Sequence, residues 1–298
     1  MNARVGFIGL GNMGKPMVRR LLGGGVTVGI YNRSRPACDE LAREGALPAE
    51  SPRALAAVSD VIFTMLPDAP NVAAVLRGEN GVFAGAAADC VAIDSSTIAP
   101  DAARAFAADA AERGIAFLDA PVSGGPEGAS AGTLAIMVGG DPDTFERVRP
   151  LFELLGATVI RCGPSGAGQV TKACNQLVVA LHIEALAEAI VLARKAGVEP
   201  SAMLEILRAG LAGSRVMELR GSAMVAGDFT TRARAAFHHK DLGIALQLAR
   251  TSGAVVPLTA LVDQLFAALE SRGEGDLDHT ALLTVVERLS GLDGTGVA

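Results

Sequence analysis

With 298 residues the chain has room for one large or two ordinary domains; half the residues are hydrophobic but only 4% are aromatic, so Ala, Val and Leu must build the core. A formal net charge of −6 without any basic run argues against a nucleic-acid partner. The four cysteines (Cys38, Cys90, Cys162 and Cys174) are scattered without a C-x-x-C pair, which points to reduced thiols in a cytoplasmic protein.

The first strand is expected almost at once, over Val5–Ile8, leaving no space for a signal peptide. It runs into Gly9-Leu10-Gly11-Asn12-Met13-Gly14, a G-x-G-x-x-G run, and Met17, Val18, Leu21 and Leu22 then repeat at helical spacing. Strand, glycine turn and helix in that order predict a dinucleotide site. The first glycine makes the turn, the second admits a pyrophosphate to the backbone, and the third lets helix pack on strand. The phosphates then meet the free N–H groups at the helix N-terminus.

A second strand, Val26–Tyr31, ends in Asn32-Arg33-Ser34. Here a dinucleotide fold reads the adenosine ribose, with Asp or Glu where NAD is preferred. A neutral Asn32 followed by Arg33 favours NADP, because a guanidinium grips a 2′-phosphate that a carboxylate would repel; NAD stays possible, and a solvated surface arginine is the alternative.

A helix near Pro36–Glu44 and a short one after Ser51-Pro52 precede the buried strand Val61–Leu66, whose end carries Pro67. Gly78–Gly85 reads as a turn-rich interval. The strand Val91–Asp94 runs into Ser95-Ser96-Thr97, hydroxyls that either line a cofactor cleft or cap the helix from Pro100 to Arg113. After the strand Ile115–Leu118 come Ser123, Gly124 and Gly125, which form either an anion-binding nest or a plain turn. Strands at Thr133–Val138 and Thr158–Arg161 flank a helix at Pro142–Leu155. Strand–helix alternation to this point implies an α/β, doubly wound sheet.

From about Ser165 onward only helices are expected. The first, Gly168–Ala196, would span about 40 Å. It is apolar almost all round, as a helix buried on most faces would be, and His182, Glu184 and Glu188 within it argue against a membrane span. Lys172, Asn175 and Gln176, at i, i+3 and i+4, share one face. Desolvation disfavours an ammonium there, so Lys172 either snorkels or does chemistry. Further helices are expected at Pro200–Ala209, Val216–Ala226, Lys240–Ser252, Pro257–Arg272 and Thr280–Leu289. His182 reads as a core or interface histidine. Adjacent His238 and His239 point to different sides, which discounts a metal site.

Four stretches carry a resemblance: Gly6–Gly14, Asp119–Gly125, Gly168-Gln169-Val170-Thr171-Lys172-Ala173-Cys174-Asn175, and Lys240-Asp241-Leu242. Together, in this order over nearly the whole chain, they resemble the β-hydroxyacid dehydrogenase family, which includes 3-hydroxyisobutyrate dehydrogenase and tartronate semialdehyde reductase. Asn175-Gln176, Gly210–Ser214 and Val256–Ala260 are similar to the tartronate semialdehyde reductase branch.

The resemblance implies a Rossmann-type domain (1–164), a long joining helix, and an all-helical domain (165–298) that builds a homodimer or homotetramer. It implies Lys172 as general acid/base with Asn175 beside the substrate, and Ser123, Gly124 and Gly125 on the substrate carboxylate. Gln176 is a further substrate contact. Leu66, Pro67, Thr97 and Lys240 would touch the cofactor with Gly9–Gly14, Asn32, Arg33 and Ser34, while Asp241 would order the site. The implied reaction reduces a small aldehyde acid, tartronate semialdehyde first. Glyoxylate, succinic semialdehyde and 3-hydroxyisobutyrate chemistry are the alternatives, with an imine reductase or a non-catalytic NADP-sensing module behind them. Asn32, where that branch often has an acid, and the polar lead-in Phe237-His238-His239 depart from its pattern.

Overall fold

The computed structural model describes residues 3–292, so the last six residues of the expected 165–298 domain lie outside the described residues. By internal contacts the chain divides into two compact units, Met1–Lys172 and Ala173–Ala298.

The first unit is a nine-stranded sheet with helices on both faces. Its strands are β1 (Arg4–Ile8), β2 (Thr27–Tyr31), β3 (Leu47–Pro48), β4 (Val61–Thr64), β5 (Val91–Asp94), β6 (Ala116–Asp119), β7 (Val122–Ser123), β8 (Ala135–Gly139) and β9 (Thr158–Gly163). The order is β3-β2-β1-β4-β5-β6-β8-β7, with β9 beside β8; β3 through β6 on this path are parallel, whereas β8 is antiparallel to β6 and β7. The reversal between β1 and β4 is the switch point of a doubly wound sheet, where such folds leave a crevice at the carboxyl ends of the strands.

Alternate residues explain why both faces are covered. Val5 and Phe7 of β1, Val61 and Phe63 of β4, and Val91 and Ile93 of β5 enter one core, while Ile62 and Ala92 enter the other. Parallel strands buried on both sides read as continuous apolar runs, which is how they were legible.

Helices α1 (Gly14–Gly23), α2 (Arg35–Ala42), α3 (Pro52–Ala56), α4 (Ala69–Arg77), α5 (Val82–Gly85), α6 (Pro100–Ala111), α7 (Gly125–Ala131) and α8 (Pro142–Leu155) cover this sheet. The expected elements do not include α4, α7 or the short strands β3 and β7, and α5 forms a short helix at the end of the Gly78–Gly85 interval expected as turns. Yet Asp68 caps α4 by accepting from Asn71 N at 2.9 Å, a start signal placed directly after the β4 loop.

Helix α9 (Ala167–Lys195) is continuous across the boundary between the units. By length and composition it could cross a membrane, but Ala180, Ile183, Leu186, Ala187, Ile190 and Val191 supply the core of the second unit. The expectation of a helix buried on most faces needs correction. Cys174, Val178, His182, Ala185, Glu188, Leu192 and Lys195 form an exposed stripe at helical spacing, with Leu192 70% exposed. His182 is therefore a surface histidine rather than a core one.

The rest of the second unit comprises α10 (Pro200–Ala209), α11 (Arg215–Ala226), α12 (Ala235–Ser252), α13 (Pro257–Ser271), a 3-10 turn (His279–Ala281) and α14 (Leu282–Leu289). Helix α12 starts more than a turn before Lys240, because Ala235 and Ala236 bond back to Leu277 and Gly275. His238 through Asp241 thus stand inside a formed helix rather than at its opening.

Candidate active site

One row of the sheet register organises the first unit's site. Tyr31, Ile8, Thr64, Asp94 and Asp119 pair side by side at the carboxyl ends of β2, β1, β4, β5 and β6. The residues singled out in the sequence follow this row within a few positions: Asn32–Ser34, Gly9–Gly14, Leu66 and Pro67, Thr97, and Ser123–Gly125. The parallel sheet therefore brings five separate loops to one edge.

The three glycines of the first loop serve different ends. Gly9 has φ +99°, and a Cβ there would run into the Met65 carbonyl; a Cβ on Gly14 would overlap the Gly9 carbonyl oxygen. Both are required by the fold itself. Gly11 has neither constraint: its φ is not in the left-handed region and an added Cβ meets nothing within 4 Å. The missing side chain leaves open space beside exposed backbone at the start of α1, which is the fit a dinucleotide pyrophosphate needs.

Asn32 fastens this loop to the next. Its Oδ1 accepts from Leu10 N at 3.0 Å, and its Nδ2 donates to Ser34 O at 3.0 Å and Ser34 Oγ at 2.9 Å. Arg33 and Ser34 are exposed beyond it.

Behind the loops lies a buried polar layer that the sequence reading missed. Asp94, fully buried, accepts from Thr64 Oγ1 at 2.7 Å and Ser96 Oγ at 2.6 Å, and Ser96 Oγ accepts from Leu66 N at 2.9 Å. Burial pushes the Asp94 carboxyl up to about 6 despite those donors, and its Oδ2 has no hydrogen-bond partner. Asp119, also buried, accepts from Gly166 N at 2.6 Å and Gln169 N at 3.0 Å, so it caps the start of α9; burial raises its carboxyl too. Gln169 donates to Ser96 O at 2.8 Å and accepts from Ile98 N at 3.1 Å. A Cβ on Gly168 would strike Met137 and Asp119 backbone, so that glycine lets the helix start close against the sheet. The first turns of α9 are thus pinned to the loop holding Thr97, and Lys172 follows on the same helix, buried at 7% exposure.

Gly124 and Gly125 have φ of +131° and +64°, conformations open to glycine, and they turn the chain from Ser123 into α7.

In the second unit the structure joins Asn175, Gln176, Lys240 and Asp241 into one network. Asn175 Nδ2 donates to Gln176 Oε1 at 2.8 Å, Gln176 Nε2 donates to Asp241 Oδ2 at 2.7 Å, and the Lys240 ammonium lies 3.0 Å from Asp241 Oδ1. Asn175 stands three residues after Lys172 on α9, so both face the same side of that helix. Buried His238 touches the Gln176 carbonyl oxygen at 3.0 Å through Nε2 and His279 Nδ1 at 2.8 Å through Nδ1, and it stacks on Phe266. His239 turns away to Asp263 and Glu270. No pattern of spacing signals the His238–His279 pair, since 41 residues separate them.

Known proteins match both halves. A model of the NAD binding domain of 6-phosphogluconate dehydrogenase covers residues 4–163. One described as the NAD-binding region of NADP-dependent 3-hydroxyisobutyrate dehydrogenase covers residues 166–286. The 2-hydroxy-3-oxopropionate reductase of Escherichia coli K12 is 43% identical, over 96% of this chain and 98% of its own. The chain belongs to the β-hydroxyacid dehydrogenase family. Solved family structures agree. The 3-hydroxyisobutyrate dehydrogenase of Salmonella typhimurium superposes with a TM-score of 0.88 at 31% identity, covering 95% of this chain and 100% of its own. Psf3, solved with NADP+ and 2-OPP, gives 0.87 at 29%, covering 95% and 99%. This β-hydroxyacid dehydrogenase is accordingly an NAD(P)-dependent oxidoreductase that acts on a small molecule.

Proposed function

We propose that this dehydrogenase reduces a small aldehyde acid bearing a neighbouring hydroxyl, tartronate semialdehyde first, with NADPH as the preferred reductant. The observation that carries the reading is a buried lysine, Lys172, on a helix whose start is capped by Asp119 and pinned by Gln169, with Asn175 following three residues later in the same helix. The E. coli relative, a 2-hydroxy-3-oxopropionate reductase by name, supports the substrate class.

In this reading Gly9–Gly14 hold the pyrophosphate, with Leu66, Pro67, Thr97 and Lys240 against the rest of the cofactor. The bound nicotinamide supplies the hydride. Charge then develops on the carbonyl oxygen, and Lys172 delivers a proton there, a contribution of roughly 10²–10⁴-fold for general acid catalysis. Ser123 and the backbone of Gly124 and Gly125 hold the substrate carboxylate, while Asn175 aligns the reacting end. Arg33 and Ser34 take the 2′-phosphate that distinguishes NADPH.

The substrate reading is tested by kcat/KM for tartronate semialdehyde, succinic semialdehyde, glyoxylate and methylmalonate semialdehyde with NADPH. A win for succinic semialdehyde by about tenfold, or about 1.4 kcal/mol, would overturn the substrate; no reduction of any of the four would overturn the reaction class.

We also propose a homo-oligomer built through the second unit. Among the described residues, Val178, Leu192, Val198, Ile206, Leu211 and Leu219 are large apolar side chains exposed there, more apolar surface than a lone unit gains by showing. Sedimentation of the Val178→Asp/Leu192→Asp variant should show a smaller species than the parent; an unchanged species would remove α9 from the interface.

A further inference from the structure

The Asn175 carboxamide has two chemically opposite ends, and which of them faces a substrate decides whether it donates or accepts. The structure fixes that orientation through a chain of forced choices in the second unit. Asp241 carries a carboxylate, which only accepts. The end of Gln176 turned toward it must therefore be the amide nitrogen, as found at 2.7 Å. That leaves the Gln176 oxygen facing Asn175, and an oxygen can take only the Asn175 nitrogen, as found at 2.8 Å. The carboxylate thus dictates, two side chains away, that Asn175 spends an N–H inward and turns its carbonyl oxygen elsewhere.

Gln176 is itself held at its backbone. Its carbonyl can only accept, so the His238 Nε2 at 3.0 Å carries the proton. The His238 Nδ1 meets His279 Nδ1 at 2.8 Å, so one proton is shared between the two rings there. Stacking on Phe266, with ring centroids 5.2 Å apart, fixes the His238 plane. Four elements (α9, α12, α13 and the 3-10 turn) so converge on one glutamine.

We propose that Gln176 is a positioning residue that sets the donor–acceptor orientation of the Asn175 carboxamide, with Asp241 as the source of its polarity, rather than a residue that touches the substrate. The proposal rests on the reading of Asn175 as the substrate partner. Its function is to keep Asn175 from flipping: an amide free to rotate would present the wrong end part of the time, and aligned complexes would form less often.

The test is a double-mutant cycle read in kcat, with the most rapidly reduced aldehyde acid and saturating NADPH. Gln176→Met keeps the length and removes both polar ends. It should lower kcat about tenfold, less than the roughly hundredfold of a 1 Å misplacement, while NADPH binding stays within about twofold. In an Asn175→Ala background the same change should lower kcat by less than about twofold, because no carboxamide remains to orient. Exchanging the charge, Gln176→Glu with Asp241→Asn, restores an acceptor facing Asn175 and a donor facing position 176. It should recover most of the kcat that Gln176→Glu alone loses through two opposed carboxylates. Equal losses from Gln176→Met in both backgrounds, or no recovery in the exchanged pair, would overturn the relay. Full activity in Asn175→Ala would instead overturn the assignment of Asn175, a separate failure.

Discussion

The clearest division between folding and binding runs through the glycines at 9, 11 and 14, and two substitutions separate them. A Cβ on Gly14 would overlap the Gly9 carbonyl oxygen, a backbone atom that cannot rotate away. Gly14→Ala should therefore cost about 3 kcal/mol, the top of the usual overpacking range, or roughly 6–12 °C in Tm at 2–4 °C per kcal/mol. At Gly11 the same atom meets nothing within 4 Å and the backbone is already one that alanine adopts. Gly11→Ala should stabilise the apo protein by about 0.4–1 kcal/mol through a less flexible unfolded chain. The added methyl does, however, occupy the space where a pyrophosphate would reach the backbone. Losing one charge-assisted hydrogen bond costs about 1.5–3 kcal/mol, or roughly 10- to 150-fold in the NADPH Kd. Thermal melting without cofactor and calorimetric titration with NADPH measure both quantities. If Gly11→Ala melts well below the parent, or binds NADPH as tightly, the open space beside Gly11 is not the phosphate site.

Lys172→Ala should leave NADPH binding within a few-fold and lower turnover at least about a hundredfold, the low end for a lost general acid; near-normal turnover in stopped-flow assays would place the proton donor elsewhere. Arg33→Ala should weaken NADPH binding by about 1–3 kcal/mol and NADH binding little, and equal losses in titrations of both would refute 2′-phosphate reading by Arg33. Asp94 titrates near 6 in the fold against about 3.9 unfolded. Between those values the folded chain binds the extra proton, so this group's contribution to stability falls as pH rises from about 4 to 6, by about 3 kcal/mol. Asp94→Asn keeps an acceptor for Thr64 and Ser96 without that loss; its advantage over the parent in chemical denaturation should grow over that interval and level off above it, and an advantage independent of pH would show that Asp94 is ionised in the folded protein throughout.

Much of this was legible in the chain because the relevant patterns are local. The β1–α1 glycine run, the apolar strands and Lys172-x-x-Asn175 all lie within single elements, where period and spacing carry the information. What stayed hidden depends on pairing across the sheet or between helices. Asp94 and Asp119 each end an apolar strand, and only the β5–β6 register shows that they stand side by side in a buried layer. Gln169 looks like one more polar residue until its amide is seen bridging Ser96 and Ile98. The polar lead-in His238-His239 looked like a departure from family pattern, and it is one residue holding α9 and one facing α13. The α9 stripe stays hidden for the opposite reason: an apolar composition cannot distinguish a side chain buried within its own unit from one left exposed on it.

The bond pattern of Asn32 bears on how a lineage could change its cofactor. An aspartate at that position would still accept from Leu10 N, but it has no hydrogen to give the Ser34 carbonyl and would set a negative charge against that oxygen. The Ser34 hydroxyl, which accepts from the Asn32 amide at 2.9 Å, would have to reverse and donate to the carboxylate instead. An acid at position 32 therefore leans on a hydroxyl being kept at position 34. Positions 32 and 34 are thus coupled through the turn they share, and the cost of placing an acid at one depends on what stands at the other.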